Sequence, residues 1–297
     1  MYDITILTDR RYVDPVERND YVDNVLLEDK LLQLALEKKG LNVFRTNWDN
    51  ADFNWATTRY AIFRTTWDYF DRYEEFVQWM KAVEKQTVLL NSKELIQWNI
   101  DKHYLGELSN KGINIPSTVF IEKGDNRSLE SVIDETTWDE FILKPVISGA
   151  ARNTFRIKRS EISDYELKFR TFISQESYMV QEFQQNILTQ GEISLMVFGG
   201  KFSHAVRKIA KPGDFRVQDD FGGTVQGYDP DKEEIAFAEM VVEKINPKPI
   251  YARIDVFNDN NGNPAIGEVE LIEPELWFRM KDGSADLLAN TIYSFIS

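Results

Sequence analysis

Residues 251–278 read YARIDVFNDNNGNPAIGEVELIEPELWF. Two runs of alternating apolar residues, 250–257 and 265–272, flank a polar segment that has Asn261-Gly262 at its tip. Asn-Gly between two alternating runs is a strong hairpin signal, because both residues accept the backbone conformations that a tight turn requires. The stretch therefore predicts a β-hairpin.

Three acidic residues fall on one face of this predicted hairpin. Side chains alternate between the two faces of a strand, so Glu268 and Glu270 share a face, and Asp255 joins them if it pairs across from Glu268. Carboxylates this close repel one another unless a cation lies among them, and Mg²⁺ prefers oxygen ligands from carboxylates and phosphates. The alternative is a solvated strand face on which Arg253 pairs with Glu270.

The composition narrows the class of protein. The chain has 297 residues, 42% of them hydrophobic, which is enough for two domains or one large one with true cores. A formal charge of −14 argues against nucleic acid or an anionic membrane surface as a partner. No cysteine and only two histidines are present, so thiolate catalysis is excluded and a His-rich zinc site is not expected. With no signal-peptide pattern and no membrane-length apolar run, we expect a soluble cytoplasmic protein.

The first part of the chain alternates strands with helices. We predict strands at 3–7, 41–45, 60–64 and 87–90, with helices at 23–39 and 73–85. This alternation predicts a parallel α/β sheet over residues 1 to about 95. The glycine patterns of the dinucleotide-binding fold and of the P-loop do not occur in the chain.

The third predicted strand runs into the segment RTTWDY, residues 64–69. Ligands of open α/β sheets bind beyond the carboxyl ends of the strands, so Arg64, Trp67, Asp68 and Tyr69 are candidate substrate contacts. Arg64 has the fork geometry that suits a carboxylate, and Asp68 could accept an ammonium group. The alternative is that Arg64 and Asp68 form a structural pair at a helix start.

The remaining elements place several charged residues. Residues 92–111 predict one helix that contains Lys102, and residues 208–224 predict a long functional loop. Lys144 ends a predicted strand, 139–144, and precedes a segment of small residues, 146–154, whose N–H groups could approach phosphates closely. An ordinary hairpin connection is the alternative. Further strands are predicted at 117–121, 155–158, 177–183, 193–198 and 201–209, and helices at 230–245 and 283–295.

In chain order these features resemble the ATP-grasp family of carboxylate–amine ligases. The series runs from Lys102 and Lys144 through MVQEF at 179–183 and FRVQDDFGG at 215–223 to the acids of the hairpin. It is most similar to the branch of glutathione synthetase and ribosomal-protein glutamate ligase. RTTWDY and ELIEPELWF also resemble the D-cycloserine-forming ligases of the family. The resemblance implies a parallel α/β domain at 1–95, then an ATP-grasp fold of two α+β subdomains at 96–180 and 181–297.

The resemblance also implies a reaction and roles for residues. ATP, with Mg²⁺ or alternatively Mn²⁺, phosphorylates a small carboxylate, and an amine then displaces the phosphate. Asp255, Glu268 and Glu270 would hold the metal, and Arg216 and Lys144 would act on the transferred phosphoryl group. The implied nucleotide contacts are Lys102, Lys144, Ser148, Gly149, Val180, Gln181, Glu182, Phe183 and, for the ribose, Glu192.

Some positions depart from the family pattern. Glu270 stands where most members carry Asn, and Ser194, Gln218, Asp220 and Phe221 differ on the substrate side. Neither glutathione nor a ribosomal protein is therefore expected as the product. A nucleotide-binding protein without turnover and a kinase-like enzyme that stops at phosphoryl transfer stay open as alternatives. The substrates and the oligomeric state, a homodimer included, are also left open.

Overall fold

The computed structural model describes residues 1–149, 151–211, 213 and 222–297, and these form three β-sheets that follow one another along the chain. The first sheet is parallel and the other two are antiparallel. Most of the predicted loop at 208–224, with Arg216, Gln218, Asp220 and Phe221, lies outside the described residues. Within the described ranges, no helix is both long enough and apolar enough to cross a membrane.

The first sheet confirms the predicted parallel α/β arrangement. Its strands are β1 (Tyr2–Thr8), β2 (Val43–Asn47), β3 (Thr58–Thr65) and β4 (Val88–Leu90), in the order β2-β1-β3-β4. Helices α1 (Asp20–Glu37) and α2 (Tyr73–Val83) lie in the connections. Because β1 and β3 are parallel neighbours, their carboxyl ends meet at one edge, where the backbone N–H of Asp9 donates to the Thr65 carbonyl at 2.9 Å.

The single helix predicted for residues 92–111 is wrong. Two helices occupy this region, α3 (Lys93–Ile100) and α4 (Tyr104–Asn110). Asp101 is extended, and the backbone N–H of Lys102 donates to the Val146 carbonyl at 2.9 Å instead of to a helical partner. The apolar spacing continues across the break, so the sequence pattern gave no sign of it. Lys102 therefore lies in the link between two helices.

The second sheet confirms the four strands expected there. It consists of β5 (Thr118–Ile121), β6 (Glu140–Pro145), β7 (Phe155–Lys158) and β8 (Tyr178–Glu182), in the order β5-β8-β6-β7. Helices α5 (Leu129–Asp134) and α6 (Ile162–Ile173) pack against it through a core that includes Phe141, Leu143 and Phe169.

The third sheet contains the hairpin. Its strands are β9 (Glu192–Phe198), β10 (Lys201–Ile209), β11 (Thr224–Tyr228), β12 (Tyr251–Asn258) and β13 (Pro264–Glu270), in the order β11-β10-β9-β12-β13. Asp255 pairs with Glu268 and Arg253 with Glu270, so the expected register is confirmed. Helices α7 (Ile187–Gln190), α8 (Lys232–Glu243) and α9 (Ser284–Ile296) complete this part. The sequence pattern predicted neither α7 nor β11, a short edge strand with mostly exposed or half-exposed residues.

Asn91 ties the first sheet to the hairpin. Its buried side chain donates to the carbonyls of Tyr251 and Leu271, each at 2.9 Å, and accepts from the N–H of Ile250 at 2.6 Å. The Tyr251 hydroxyl adds a hydrogen bond to the Ile272 carbonyl at 2.8 Å. Apolar residues of both parts share one core, so the carboxyl edge of the first sheet is held against the end of β13.

Replacing this tie should destabilise the whole molecule. Asn91→Ala removes the hydrogen bonds of Asn91 to three buried backbone groups, and since each such loss costs about 1–3 kcal/mol, we expect the free energy of unfolding to fall by at least about 3 kcal/mol. Urea denaturation measures this change. Asn110→Ala, at the exposed end of α4, is the control and should have little effect. Equal stability of the two variants would contradict the role assigned to Asn91.

Candidate active site

A cavity of about 570 Å³ lies where the three sheets meet. The hairpin contributes Asp255, Glu268 and Glu270 to its wall, which confirms that the three carboxylates share one face. The first sheet contributes residues that follow β1 and β3, and the second contributes Lys144 and the end of β8.

Basic side chains compensate these carboxylates in the structure. Arg253 donates to Asp255 from Nε at 2.9 Å and from Nη2 at 2.8 Å, and it also contacts Glu270. Lys208 Nζ lies 3.0 Å from Asp255 Oδ2 and contacts Glu192. The alternative pairing of Arg253 with Glu270 is thus present together with the shared face. The face is not solvated as that alternative supposed, because Asp255 and Arg253 are buried and Glu268 and Glu270 are partly buried.

The pKa values of Asp255, Glu268 and Glu270 are shifted in different directions. Burial opposes a charge on Asp255, yet Arg253 and Lys208 hold its pKa well below the usual range. Burial, with repulsion from Asp255 and Glu268, raises the pKa of Glu270 to about 7. Burial would also raise the pKa of Glu268, but the charges of Lys102 and Lys144 outweigh it and lower that pKa.

Two lysines face the acids from other parts of the chain. Lys102 Nζ donates to Glu268 Oε1 at 2.9 Å and to the Ser148 carbonyl at 2.7 Å. Lys144 is on β6, and burial lowers its pKa to about 8, with the charge of Lys102 adding to the effect against the attraction of Glu268. Gly149 follows closely, and a Cβ there would lie 2.6 Å from the ring of Phe70. Because glycine has no side chain, the segment after β6 can pack directly against Phe70, which follows β3 of the first sheet.

The predicted nucleotide contacts at the end of β8 divide between the core and the cavity. Gln181, Glu182 and Phe183 line the cavity, whereas Val180 is fully buried in the core of the second sheet. Glu192 also lines the cavity at the start of β9. It follows Gly191, which has φ +75° and lies so close to β10 that a Cβ would be 2.3 Å from the Lys208 carbonyl oxygen. This close approach, open only to glycine, brings Glu192 beside Lys208.

The predicted substrate residues also divide. Trp67 and Tyr69 line the cavity, but Arg64 and Asp68 do not. Arg64 is buried, donates to the Pro274 carbonyl at 3.0 Å and lies over the ring of Phe278. Asp68 accepts from Trp48 Nε1 at 2.7 Å and pairs with Arg72. The substrate roles of Arg64 and Asp68 stay predictions, and these contacts give them no support.

Several residues of the cavity were missed by the sequence reasoning. They are Arg11, Tyr12, Tyr21, Lys208, Arg253, Glu273 and Trp277. Arg11 and Tyr12 follow β1, so the rule that pointed to the end of β3 would have found them at the neighbouring strand end. Glu273 lies three residues beyond β13, where no strand alternation indicates its direction.

The comparisons with known proteins place the chain in a family. Residues 113–274 match the ATP-grasp domain of prokaryotic glutathione synthetase, and residues 4–91 match the N-terminal domain of D-cycloserine synthetase DcsG. The first match spans more than half of the chain, so the chain belongs to the ATP-grasp family. It is an ATP-dependent ligase.

Individual relatives agree with this assignment. The cycloserine biosynthesis protein DcsG of Streptomyces lavendulae is 24% identical over 254 residues, which cover 82% of this chain and 85% of the relative. The crystal structure of D-cycloserine synthetase DcsG superposes with a TM-score of 0.87 at 21% identity over 99% of both chains. The ATP-grasp ligase PsnB, in complex with a precursor peptide and AMPPNP, gives 0.64 at 15% identity over 100% of this chain and 98% of PsnB. These likenesses confirm the predicted fold class.

Glu273 should lower stability at high pH. Burial, with repulsion from Glu270 and Glu268, raises its pKa to about 8 from an ordinary 4.5, and no ion pair to it occurs within the described part of the chain. The folded state therefore holds a proton that the unfolded state has lost, so this group destabilises the fold as pH rises from about 4.5 to 8. Glu273→Gln removes that penalty.

We expect Glu273→Gln to unfold less readily than wild type by about 1–3 kcal/mol at pH 8, given roughly 1.4 kcal/mol per pKa unit and partial exposure. The gain should vanish near pH 4. Urea denaturation at both pH values, without nucleotide or metal, measures it. Glu275→Gln is the matched control and should give no gain at pH 8, because Glu275 pairs with Arg279 at 2.6 Å. A less stable Glu273→Gln at pH 8 would contradict the reasoning.

Proposed function

We propose that this ligase binds ATP with Mg²⁺ in the cavity, phosphorylates a small carboxylate and joins the acyl group to an amine. One observation carries the proposal: Asp255, Glu268 and Glu270 face Lys102 and Lys144 across one cavity. Oxygen ligands for a metal and ammonium groups for phosphates thus lie side by side in one cavity, and positioning and charge stabilisation of this kind are what phosphoryl transfer needs from a protein.

The three carboxylates fit the proposed ion in their chemistry. Mg²⁺ takes a few carboxylate oxygens and fills its remaining positions with phosphate oxygens and water. Asp255, Glu268 and Glu270 would supply such oxygens, and a bound ion would neutralise charge that builds up on the phosphates. Among the described residues no three His, Asp or Glu side chains are already grouped to hold an ion. Arg253, Lys208 and Lys102 compensate the carboxylates instead.

The rest of the cavity supports a place for the nucleotide. Lys102 and Lys144 would contact the phosphates, with Ser148 and Gly149 in the segment after β6. Gln181, Glu182 and Phe183 would contact the adenine, and Glu192 the ribose. Val180 would act only by positioning the strand, since its side chain is in the core. We keep Arg216 as the candidate for the transferred phosphoryl group on the family resemblance alone, because it lies outside the described residues.

The substrates in this proposal are small molecules. In the first step a carboxylate oxygen attacks the γ-phosphorus and ADP leaves; in the second an amine attacks the acyl carbon, phosphate leaves and the amine loses a proton. Residues 4–91 match a domain of D-cycloserine synthetase, which supports a small amino-acid-like substrate rather than a protein. Trp67 and Tyr69 would form part of its wall.

Glu268→Gln tests the metal face. The variant keeps the shape of the side chain but removes one charged ligand, so we expect ADP formation to fall at least about 100-fold, the usual scale for losing one group that stabilises transition-state charge. The assay is ADP release with a panel of carboxylates and amines, alone and in pairs. Glu233→Gln, exposed on α8, is the control and should keep full activity. ADP release without any amine would favour the kinase-like alternative.

Lys144→Ala tests the phosphate wall. Lys144 would contact phosphate and not the base, so ATP should bind about 10- to 100-fold more weakly, since a charge-assisted hydrogen bond contributes roughly 1.5–3 kcal/mol. Adenosine should bind as it does to wild type. Calorimetry with both ligands measures the difference, with exposed Lys158→Ala as the control. An equal loss for both ligands would indicate structural damage instead.

A further inference from the structure

One end of the cavity lies beyond the proposed nucleotide and metal residues. We call it the first-sheet end, and it is lined by Arg11, Tyr12, Tyr21, Trp67 and Glu273. The first two follow β1, Trp67 follows β3, and Glu273 follows β13. None of the contacts proposed for ATP or Mg²⁺ uses Arg11 or Glu273.

Arg11 is fixed in place by a buried acid. Asp9 is fully buried and accepts from Arg11 Nε at 3.1 Å, from Nη2 at 2.6 Å and from the backbone N–H at 2.7 Å. Among the described residues, the guanidinium donates to Asp9 alone and the side chain is 63% exposed. A guanidinium has five N–H donors, so its outer edge, Nη1 with the second hydrogen of Nη2, stays available for a carboxylate. Little side-chain entropy would be lost on binding, because Asp9 already holds the group.

Trp67 contacts both Tyr12, over which Arg11 lies, and the backbone of Glu273. Its ring meets the ring of Tyr12 edge-on at 5.7 Å, and its Nε1 donates to the backbone carbonyl of Glu273 at 2.9 Å. Tyr21 packs against the same indole at 6.2 Å. The aromatic wall therefore has the guanidinium of Arg11 over the ring of Tyr12 on one side and the backbone of Glu273 on the other, and the Glu273 carboxyl hydrogen-bonds Tyr69.

The order of charges along the cavity gives the substrate a direction. Glu273 follows Glu270 by three residues, just beyond the end of β13, so it lies on the side of the first-sheet end nearer the proposed metal residues. Arg11 lies on the far side of Trp67, next to Tyr12. A molecule that spans this end would present one group toward the reacting centre and the other toward Arg11.

We propose that the first-sheet end binds the amine substrate of the ligation and that this substrate is an amino acid. Its carboxylate, which is not the one phosphorylated, is held by the outer edge of Arg11. Its amino group lies beside Glu273, facing the activated carbonyl of the other substrate, and its side chain packs against Trp67 and the tyrosines. This assignment rests on the proposed function and names the class of one of its two substrates.

The balance of charge favours an amino acid over a phosphorylated ligand. Among the residues that define the first-sheet end, Arg11 is the one basic group and Glu273 the one acid, and elsewhere the cavity wall adds Asp71 and Glu275, of which Glu275 already pairs with Arg279. A phosphate dianion would meet these acids without bringing a cation. A zwitterion brings one charge of each sign, a carboxylate for Arg11 and an ammonium group whose charge would favour the ionised form of Glu273 and so lower its raised pKa.

The test compares amines in matched pairs that differ only by the carboxylate. Glycine is paired with methylamine, alanine of each hand with ethylamine, and serine of each hand with ethanolamine, each with a panel of carboxylates in the ADP-release assay. For wild type we expect at least one amino acid to be used, with kcat/KM at least about tenfold above its partner amine, the scale of one charge-assisted hydrogen bond.

Variants of Arg11 then test whether this residue causes the preference for an amino acid over its partner amine. Arg11→Lys keeps the charge beside Asp9 but loses the fork, and Arg11→Gln loses both. We expect KM for the amino acid to rise about tenfold or more in each, the KM for ATP to stay unchanged, and the preference over the partner amine to collapse. Arg10→Lys and Arg10→Gln are the controls. Arg10 is the neighbouring arginine, pairs with Asp49 at 3.3 Å and does not line the cavity, so its variants should behave as wild type.

Each outcome decides a different point. If wild type forms ADP equally well with amines and with amino acids, the amino-acid inference is overturned and the proposed ligase function stands. The same holds if the Arg11 variants keep the full preference for the amino acid. Wild type that forms no ADP with any pair overturns the amino-acid assignment, and calorimetry with AMPPNP and Mg²⁺ then shows whether the nucleotide proposal fails too. The wild-type comparison needs no variant, so it decides even if loss of Arg11 prevents folding.

Discussion

The bidentate contact of Arg253 with Asp255, extended to Glu270, is the interaction on which the site depends. Three carboxylates on one hairpin face, with Asp255 buried and Glu268 and Glu270 partly buried, would repel one another and oppose folding, because an unpaired charge is costly where water is largely excluded. Arg253 compensates two of them from within the hairpin. Lys208 from β10 and Lys102 from the link before α4 supply the remaining positive charge. Charge compensation thus brings residues that are distant in sequence close together in the fold, and the cavity lies where they meet.

This compensation leaves the site under electrostatic stress. Lys144 has a lowered pKa, while Glu270 and Glu273 have raised pKa values. In each case burial removes water that would stabilise the charge, and the neighbouring opposite charges do not make up for that loss. Under the proposed function, phosphates beside Lys144 and a metal beside Glu270 would relieve that stress. The unfavourable electrostatic energy of the site would favour ligand binding, and stabilising contacts in other parts of the fold offset its cost to stability. Asn91 and Tyr251 do so through buried hydrogen bonds that join the first sheet to the hairpin.

Local patterns predicted the fold well, because strand alternation and turn residues act over a few residues. The Asn-Gly turn indicated the hairpin, whereas the pairing of Asp255 with Glu268 depends on a β-bulge between Asp255 and Val256 that shifts the register by one residue. Strand alternation would also have separated Val180 from Gln181, since adjacent side chains point to opposite faces. Arg64 was different: its partner, the Pro274 carbonyl, is 210 residues away, and no local pattern shows it. The break before α4 depends on a bond to Val146, a tertiary contact that overrides continuous apolar spacing.

The two family matches divide the chain in the same way as the chemistry of the cavity does. Residues 113–274 match an ATP-grasp domain, and they hold every described candidate contact to nucleotide and metal except Lys102. Residues 4–91 match a different domain, and they supply Arg11, Tyr12, Tyr21 and Trp67. Under the proposed placement of the substrate, a change of substrate would require new side chains at the ends of β1 and β3, while the residues that compensate the acids of the hairpin stay fixed. The hairpin and the segment after it contribute to both halves, since Glu268 lies beside Lys102 and Glu273, just beyond β13, lies beside Trp67 at the first-sheet end.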